Sequence, residues 1–352
     1  MKKIGIVTIN DYDNYGNRLQ NYATQEVLKK MGYSPLTLKN HNILNTKNKF
    51  IIRIPKFVIL RLKEILKYNR KRYKKFKNFN SYIDKTKFWI TPYSKINDKY
   101  DFFVVGSDQV WKPTYGRMRD VDFLCFAKPE KRIAYSASFG INELPDEKKE
   151  FAKKYLNSFK KISVREESGR RIVEELTSRK DVELLIDPTM MLNANEWDKV
   201  SKKPEQLCNE KYILNYFLGT ISESRKREIE RIAKKYDCKI INILDRNDPF
   251  YETGPSEFLY LEKNAFLICT DSFHASVFSI IYNRPFIVFE REDNKVNMNS
   301  RIETLLTKFK LEKHRFVDRI EDSVFMENYA EAEEVLKYEK TKAEKFLKDS
   351  LK

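Results

Sequence analysis

Short apolar runs alternate with amphipathic segments along most of the chain. In the first half the apolar runs have strand length, and the segments between them repeat apolar residues with helical spacing. Strands are predicted at residues 4–9, 36–38, 102–105, 133–138, 162–164 and 184–186. Helices are predicted at residues 18–31, 146–159 and 167–176. This alternation is typical of a parallel sheet with helices on both faces.

The second half repeats the pattern after a polar stretch at residues 193–210, which Pro204 interrupts. Strands are predicted at 212–217, 239–244, 266–269 and 286–289, and helices at 223–236, 255–263 and 275–282. Because 352 residues exceed one ordinary core, we predict an α/β protein of two Rossmann-like lobes with parallel sheets and a cleft between them. The predicted parts are an N-terminal lobe (1–195) with a basic helical insertion at about 47–80, a C-terminal lobe (196–325), and a final helical segment (326–352) returning to the N-terminal lobe.

Positive charge is concentrated in one segment. Residues 47–77 hold thirteen lysines and arginines against one acid, Glu64, so they carry +12 of the formal net charge of +17. Apolar residues are interleaved with the charges, which predicts a basic amphipathic helix or helix pair. Such a segment suits a solvated helical face, an anionic membrane surface or lipid-linked substrate, or nucleic acid. We expect no nucleic acid partner, because neither zinc-ligand spacing nor an RNA-binding signature occurs.

Cysteines and apolar stretches bear on the compartment and on metal chemistry. The four cysteines show no paired spacing, and Cys269 lies inside an apolar strand, which indicates reduced core residues. No stretch approaches the ~20 apolar residues of a membrane span. We expect a cytoplasmic protein, peripheral at the inner face of the cell membrane where the basic segment binds lipid. No His, Cys or carboxylate cluster has metal-ligand spacing, so neither a metal nor a cofactor is expected.

A histidine lies where a buried strand is predicted to turn into a helix. The polar residues Thr270, Asp271 and Ser272 follow the strand and are predicted to supply turn and N-cap side chains. His274 is therefore expected in or beside the first helical turn, where backbone N–H groups and the helix dipole favour an anion. Ligands of open α/β sheets bind at such strand ends. The alternative is that His274 fills a hydrogen-bonding position in a tight turn.

Polar motifs at the predicted strand ends occur in an order that resembles a known family. Four loops are 14–17 (NYGN) with Gln20, 105–111 (VGSDQVW), 163–168 (SVREES) and 271–274 (DSFH). Three further motifs are 135–140 (YSASFG), 187–189 (DPT) and 283–286 (NRPF). Together they resemble the polysaccharide pyruvyl transferase family, from Ile4 to about Leu306.

The resemblance implies a two-lobed fold like that of the GT-B glycosyltransferases. It also implies transfer of a pyruvyl group from phosphoenolpyruvate, the donor substrate, to a sugar of a polysaccharide or lipid-linked glycan precursor, forming a cyclic ketal. A histidine and an arginine associated with the donor in such families map onto His274 and Arg165, which we predict as catalytic. Lys295 matches a lysine after the strand that follows the histidine helix. Ser272 and Ser107 complete the predicted donor set, and the predicted acceptor set is Asn14, Gly16, Asn17, Gln20 and Asp108.

The chemistry of this reaction calls for residues of these types. Phosphoenolpyruvate carries a carboxylate and a phosphate, which suit the guanidinium of Arg165, the ammonium of Lys295 and a helix N-terminus. Protonation of the enol methylene needs a general acid near neutral pH, which indicates His274. Because a helix N-terminus disfavours imidazolium, we expect the bound donor anions, helped beforehand by Asp271, to raise the pKa of this histidine.

Structural explanations compete with several of these assignments. An ion pair with Glu166 or Asp187 would explain Arg165, and a cap on an ordinary turn would explain Asp108. The loop at 14–17 would then only connect a strand to a helix. Buried structural positions are predicted for Ser136, Ser138 and Trp111.

Two other functions fit the same pattern. A GT-B-type glycosyltransferase would use a nucleotide sugar and would need a nucleobase pocket and a group that binds the diphosphate. A non-catalytic protein would use the basic segment to attach to a membrane or another polyanion.

Overall fold

The computed structural model describes residues 1–10, 14–40, 70–114, 116–291 and 300–352. These residues divide into two units, Met1–Met191 with Glu339–Lys352, and Leu192–Tyr338. The boundary predicted from composition, between residues 195 and 196, lies close to this division. Most of the basic segment (47–69) and the predicted donor residue Lys295 lie outside the described residues.

The first unit is built on a seven-stranded sheet in which all neighbouring strands are parallel. Its strands are β1 (Lys3–Val7), β2 (Ser34–Asn40), β3 (Lys85–Ile90), β4 (Phe102–Val105), β5 (Arg132–Ala137), β6 (Lys161–Val164) and β7 (Glu183–Leu184). Its helices are α1 (Tyr15–Lys30), α2 (Arg70–Phe79), α3 (Asp146–Leu156) and α4 (Glu167–Thr177). The strand order is β3-β2-β1-β4-β5-β6-β7. The order reverses between β1 and β4, and a parallel sheet binds ligands at the carboxyl ends of the strands at such a switch point.

Apolar side chains on both faces of the central strands explain why this sheet forms. All four residues of β4 are buried, as a parallel strand covered on both faces requires. Trp111 is fully buried in the core of this unit and stacks on Phe123, with ring centroids 5.4 Å apart. Its indole N–H donates to the backbone carbonyl of Asp122 at 3.0 Å. Trp111 is therefore a core residue, as predicted.

The second unit contains a four-stranded parallel sheet of order β11-β10-β8-β9. Its strands are β8 (Tyr212–Tyr216), β9 (Lys239–Asn242), β10 (Leu267–Thr270) and β11 (Phe286–Val288). Its helices are α5 (Ala194–Asp198), α6 (Glu223–Lys235), α7 (Pro255–Asn264), α8 (Phe273–Ile281) and α9 (Ser300–Phe309). Here the switch point lies between β8 and β10, so their carboxyl ends are the expected ligand position in this unit.

The last helix, α10 (Ala330–Ser350), begins in the second unit, and from Glu339 onward its residues belong to the first. There Phe346 stacks on Tyr135 with ring centroids 6.5 Å apart, and Lys342 donates to the backbone carbonyl of Leu184 at 3.0 Å. Among the described residues, none of the helices has the length and apolar character that a membrane crossing requires.

Three of the described strands and helices are absent from the prediction: β3, α9 and the short helix α5, which lies in the predicted polar stretch at 193–210. Strand β3 lies at one edge of the first sheet, and its sequence mixes lysines with apolar residues because an edge strand exposes polar side chains. Helix α9 carries buried Ile302, Leu305 and Phe309, a helical spacing that the sequence does display. Helix α8 begins at Phe273, two residues before the predicted start.

Candidate functional site

Asp271 joins the strand ends at the switch point of the second sheet. Its Oδ1 accepts a hydrogen bond from the backbone N–H of Leu218 at 2.7 Å, and its Oδ2 accepts one from Gly219 at 2.8 Å. Both donors follow β8, whereas Asp271 follows β10. Arg291, which comes after β11, places its Nε 2.9 Å from Oδ2 of Asp271. The carboxylate thus fixes the loops after three strands relative to one another.

His274 is the second residue of α8, directly after this crossing of loops. The residue is buried, with 7% exposure, in the first helical turn, where the sequence pattern placed it. Ser272 occupies the N-cap position, but its side chain makes no capping hydrogen bond, which corrects the predicted N-cap role. Its backbone N–H instead donates to the Thr270 hydroxyl at 2.9 Å. That hydroxyl donates to the Tyr216 carbonyl at 2.6 Å, so it ties β10 to β8.

Two arginines near the start of α8 are absent from the site residues predicted from the sequence. Arg291 contacts Asp271, and the guanidinium carbon of Arg301 lies 6.0 Å from the ring centroid of Phe273, the first residue of α8. Arg301 is buried, in the first turn of α9. The sequence signal for Arg291 is its position shortly after the end of strand β11. The sequence signal for Arg301 is the helical spacing of apolar residues in α9. Lys295, predicted to bind the donor, lies between them in sequence but outside the described residues.

The predicted residues of the first unit form a buried network at the ends of β4, β6 and β7. Arg165 places Nη1 2.6 Å from Asp187 Oδ2 and Nη2 3.2 Å from Asp108 Oδ1. Its side chain is only 1% exposed. Ser107 Oγ lies 2.7 Å from the same Asp187 oxygen and 2.9 Å from the Ser136 carbonyl. Burial lowers the pKa of Arg165, but the carboxylates of Asp187 and Asp108 outweigh it, so the pKa is raised and the guanidinium stays charged.

Arg165 forms an ion pair with Asp187, which is one of the structural explanations that the sequence left open for this arginine. Both terminal nitrogens of Arg165 are engaged by carboxylates of the protein. Asp108 contributes a second carboxylate, although it was predicted on the acceptor side. A buried cation held by two anions is suited to fixing loops.

The predicted acceptor residues other than Asp108 lie around the start of α1. Asn14 is the N-cap and accepts a hydrogen bond from the Asn17 backbone N–H at 3.1 Å, and Gly16 is buried within the first turn. Gln20 is fully buried: its Nε2 donates to Thr8 Oγ1 at 2.7 Å, and its Oε1 accepts from the backbone N–H of Ser107 at 3.1 Å. Gln20 therefore links the loops after β1 and β4, the strands on either side of the switch point.

Ser136 and Ser138 are fully buried, as predicted, and Ser136 donates to the Ile186 carbonyl at 2.7 Å. His314 stacks on Phe286, with ring centroids 4.3 Å apart, and one ring nitrogen lies 3.1 Å from Glu327, so it serves the core. Within the described ranges, no group of three or more His, Cys, Asp or Glu residues is placed to hold a metal ion.

Comparison with known proteins gives one family and one fold. The sequence model of the polysaccharide pyruvyl transferase family matches residues 14–294 of this chain. No curated protein matches the chain.

Among solved structures, the UDP-GlcNAc 2-epimerase from Neisseria meningitidis bound to UDP-GlcNAc is similar, with a TM-score of 0.52, 12% identity, and coverage of 100% of this chain and 99% of that one. A provisionally named UDP-N-acetylglucosamine 2-epimerase from Listeria monocytogenes gives a TM-score of 0.51 and 9% identity over 99% of this chain and 91% of that one. Likeness at this identity shows the fold alone, an α/β, GT-B-like fold with parallel sheets.

Proposed function

This chain belongs to the polysaccharide pyruvyl transferase family, and from that premise we propose its reaction. The chain transfers the pyruvyl group of phosphoenolpyruvate to a sugar of a polysaccharide or lipid-linked glycan precursor, and the product is a cyclic ketal. His274 is the general acid. Neither a metal nor a cofactor enters this reaction scheme.

The assignment of His274 as the general acid rests on its position in the second sheet. The residue stands in the first turn of α8, at the carboxyl end of β10 and next to the switch point of the second sheet. Asp271 fixes that turn through two backbone N–H groups of the loop after β8. A histidine held at the ligand-binding edge of a parallel sheet is well placed to exchange a proton with a bound substrate.

The surroundings of His274 suit a donor with two anionic groups. The first turn of α8 presents backbone N–H groups and the positive end of the helix dipole, which favour a phosphate. Arg301 adds a guanidinium next to Phe273, and a guanidinium matches a carboxylate or phosphate with two parallel hydrogen bonds. We assign Arg301 to the donor, together with the predicted residues Ser272 and Lys295. The negative charge of the donor then favours the imidazolium form of His274.

The reaction follows from these placements in balanced steps. His274 gives a proton to the methylene carbon of the enol, which becomes a methyl group, and the central carbon becomes electrophilic. A sugar hydroxyl adds to that carbon and loses its proton, which restores the imidazolium. The carbon–oxygen bond to phosphate then breaks, a second hydroxyl of the same sugar adds, and its proton leaves with inorganic phosphate. The products are the ketal and one phosphate.

For Arg165 we propose a positioning role instead of the direct donor contact implied by the family resemblance. Its guanidinium is buried between Asp187 and Asp108, and it therefore sets the loop after β4, which carries Ser107 and Asp108. The acceptor is proposed to bind near that loop and the start of α1. Attachment to an anionic membrane through residues 47–77 stays a prediction, as does a cytoplasmic location.

The proposal is tested by turnover in heavy water. With phosphoenolpyruvate and a cell-envelope extract as acceptor source, the pyruvyl methyl group should gain one deuterium, which mass spectrometry of the product detects. His274→Gln should still bind phosphoenolpyruvate and melt like the wild type, but lose about 100- to 10,000-fold in rate, the usual worth of a general acid. A ketal without deuterium, or a His274→Gln variant with full activity, would refute the assignment.

A further inference from the structure

The guanidinium of Arg291 is tethered to the second unit through one of its three nitrogens. Its Nε lies 2.9 Å from Oδ2 of Asp271, and the same oxygen accepts the backbone N–H of Gly219 at 2.8 Å. Among the residues that the structure describes, neither Nη1 nor Nη2 of Arg291 donates a hydrogen bond. Asp271 is buried, whereas the side chain of Arg291 is 15% exposed. The tether is therefore buried, and the two terminal nitrogens are left for another acceptor.

Arg231, in α6 of the same unit, pairs with its carboxylate in a different way. It binds both oxygens of Glu228, through Nε at 2.8 Å and Nη2 at 2.7 Å. The same Nη2 also donates to the Ile320 carbonyl at 3.0 Å. Such a two-point pair occupies the parallel N–H groups that a guanidinium offers to an anion. Arg291 makes only a one-point contact, because both oxygens of Asp271 already accept backbone N–H groups.

The backbone places Arg291 at the carboxyl edge of the second sheet. Two residues earlier, the N–H of Phe289 donates to the carbonyl of Thr270 at 2.8 Å, so the chain leaving β11 stays beside the chain leaving β10. The carbonyl of Glu290 accepts a hydrogen bond from Arg225, in the first turn of α6. These two bonds and the tether at Nε hold Arg291 in place before a ligand arrives, which lowers the entropy cost of binding.

Arg291 and His274 are connected through Asp271. Asp271 precedes His274 by three residues, so their Cα atoms lie at most about 11 Å apart. His274 belongs to the first turn of α8, where backbone N–H groups and the helix dipole favour an anion. The guanidinium and the helix N-terminus therefore lie at the two ends of one short loop, and both attract negative charge.

We propose that Arg291 binds the phosphate group of phosphoenolpyruvate through Nη1 and Nη2, and that Asp271 is the positioning residue that holds its Nε. The inference rests on the proposed function, because it assigns a residue to the leaving group of that reaction. A guanidinium pairs with two phosphate oxygens through parallel hydrogen bonds. When the carbon–oxygen bond breaks, its electron pair goes to the phosphate oxygen, and Arg291 stabilises the charge that develops there.

The test is calorimetry with inorganic phosphate, phosphoenolpyruvate and pyruvate, which lacks the phosphate group. It is performed on the wild type, Arg291→Met, Arg291→Lys and Arg231→Met, and the melting temperature of each protein is recorded. Arg231→Met is the matched control, because it removes a guanidinium whose parallel N–H groups the protein already occupies. If Arg291→Met does not fold, Arg291→Lys supplies the comparison.

We expect Arg291→Met to bind phosphate and phosphoenolpyruvate about 10- to 100-fold more weakly, the usual effect of removing hydrogen bonds to a charged group. Arg291→Lys should lose part of this affinity, since an ammonium keeps the charge without the planar pair of donors. Arg231→Met should bind both ligands like the wild type. Pyruvate should not distinguish the four proteins.

A double-mutant cycle tests the positioning role of Asp271. Asp271→Asn removes the charge that holds Nε, so it should weaken phosphate binding when Arg291 is present. In the Arg291→Met background the same substitution should cause little further loss, because the residue that it positions is gone. Losses that simply add would mean that Asp271→Asn acts by damaging the loops, and the positioning role would be wrong.

Equal binding of phosphate by the wild type and Arg291→Met would overturn the proposal, and so would a wild type that binds no phosphate. UDP is the probe for the other source of the same chemistry, a nucleotide sugar. If Arg291→Met weakens the binding of UDP and not that of phosphoenolpyruvate, the assignment to the donor is wrong. If the wild type binds phosphate through Arg291 but does not bind phosphoenolpyruvate, the proposed reaction fails while the anion site stands.

Discussion

Replacement of Asp187 by asparagine should destabilise the first unit strongly. Oδ2 of Asp187 accepts hydrogen bonds from Ser107 Oγ at 2.7 Å and Arg165 Nη1 at 2.6 Å. Oδ1 accepts from the backbone N–H of Thr189 at 3.0 Å and from its hydroxyl at 2.7 Å. Asparagine has almost the same shape but only one acceptor oxygen. Whichever way the amide is turned, its NH₂ group meets two donors.

The size of the effect follows from burial and charge. Asp187 has a fully buried side chain, and that of Arg165 is 1% exposed, so solvent compensates little for the lost anion. Removing one partner of a buried ion pair costs about 3–5 kcal/mol. For a unit of this size, ~1 kcal/mol corresponds to about 2–4 °C in melting temperature, so Asp187→Asn should lower it by about 6–20 °C.

The assay is thermal unfolding followed by circular dichroism, with Asp181→Asn as the control. Asp181 also pairs with an arginine, Arg179, at 2.8 Å, but it is 42% exposed. A surface pair contributes about 1 kcal/mol or less, so Asp181→Asn should melt nearly like the wild type. If Asp187→Asn and Asp181→Asn shift the melting temperature equally, the network around Arg165 does not stabilise the first unit.

Two further substitutions test other parts of the account. Glu262 is fully buried, and burial raises its pKa well above the ordinary value of 4.5, so the folded state keeps a proton that the unfolded state has lost. The free energy of unfolding should therefore fall as pH rises from 4.5 through the folded pKa of Glu262. Urea titrations at several pH values should show that Glu262→Gln removes this dependence on pH. An unchanged dependence on pH would contradict a protonated Glu262 in the folded state. Gly106 has φ +124°, and a Cβ there would lie 2.1 Å from the Tyr135 carbonyl oxygen, so Gly106→Ala should prevent folding or cost more than about 4 kcal/mol. Gly32→Ala is its control, because Gly32 has φ +82° with open space around it and should cost about 1 kcal/mol; equal losses would show that the steric clash is absent.

Much of the fold could be predicted from the sequence, because buried parallel strands are continuous apolar runs. Strand β4 occupies the predicted residues 102–105, and α10 lies within the predicted helical segment at 326–352. Strand β3 could not be recognised in this way, since Lys85 and Lys87 interrupt its apolar pattern at the edge of the sheet. Periodicity detects a covered strand better than an exposed one.

The site was harder to predict than the fold, because its contacts join residues far apart in sequence. The location of His274 followed from the local pattern of strand, polar turn and helix. The partners of Asp271 did not: it holds Leu218 and Gly219, which no local rule connects with it. For Arg165, the sequence predicted one of its two partners: Asp187 was anticipated and Asp108 was not. Arg301 was missed together with the helix that carries it.

The use of phosphoenolpyruvate as the donor is tested by comparing its binding with that of UDP-GlcNAc. Calorimetry and thermal unfolding are measured on the wild type and on Arg301→Met. The account predicts that phosphoenolpyruvate alone binds and stabilises the wild type, by about 2.7 kcal/mol at a concentration of ~100 times Kd, and that Arg301→Met loses most of this gain. Stabilisation by UDP-GlcNAc without any by phosphoenolpyruvate would contradict the pyruvyl transfer and favour a glycosyltransferase.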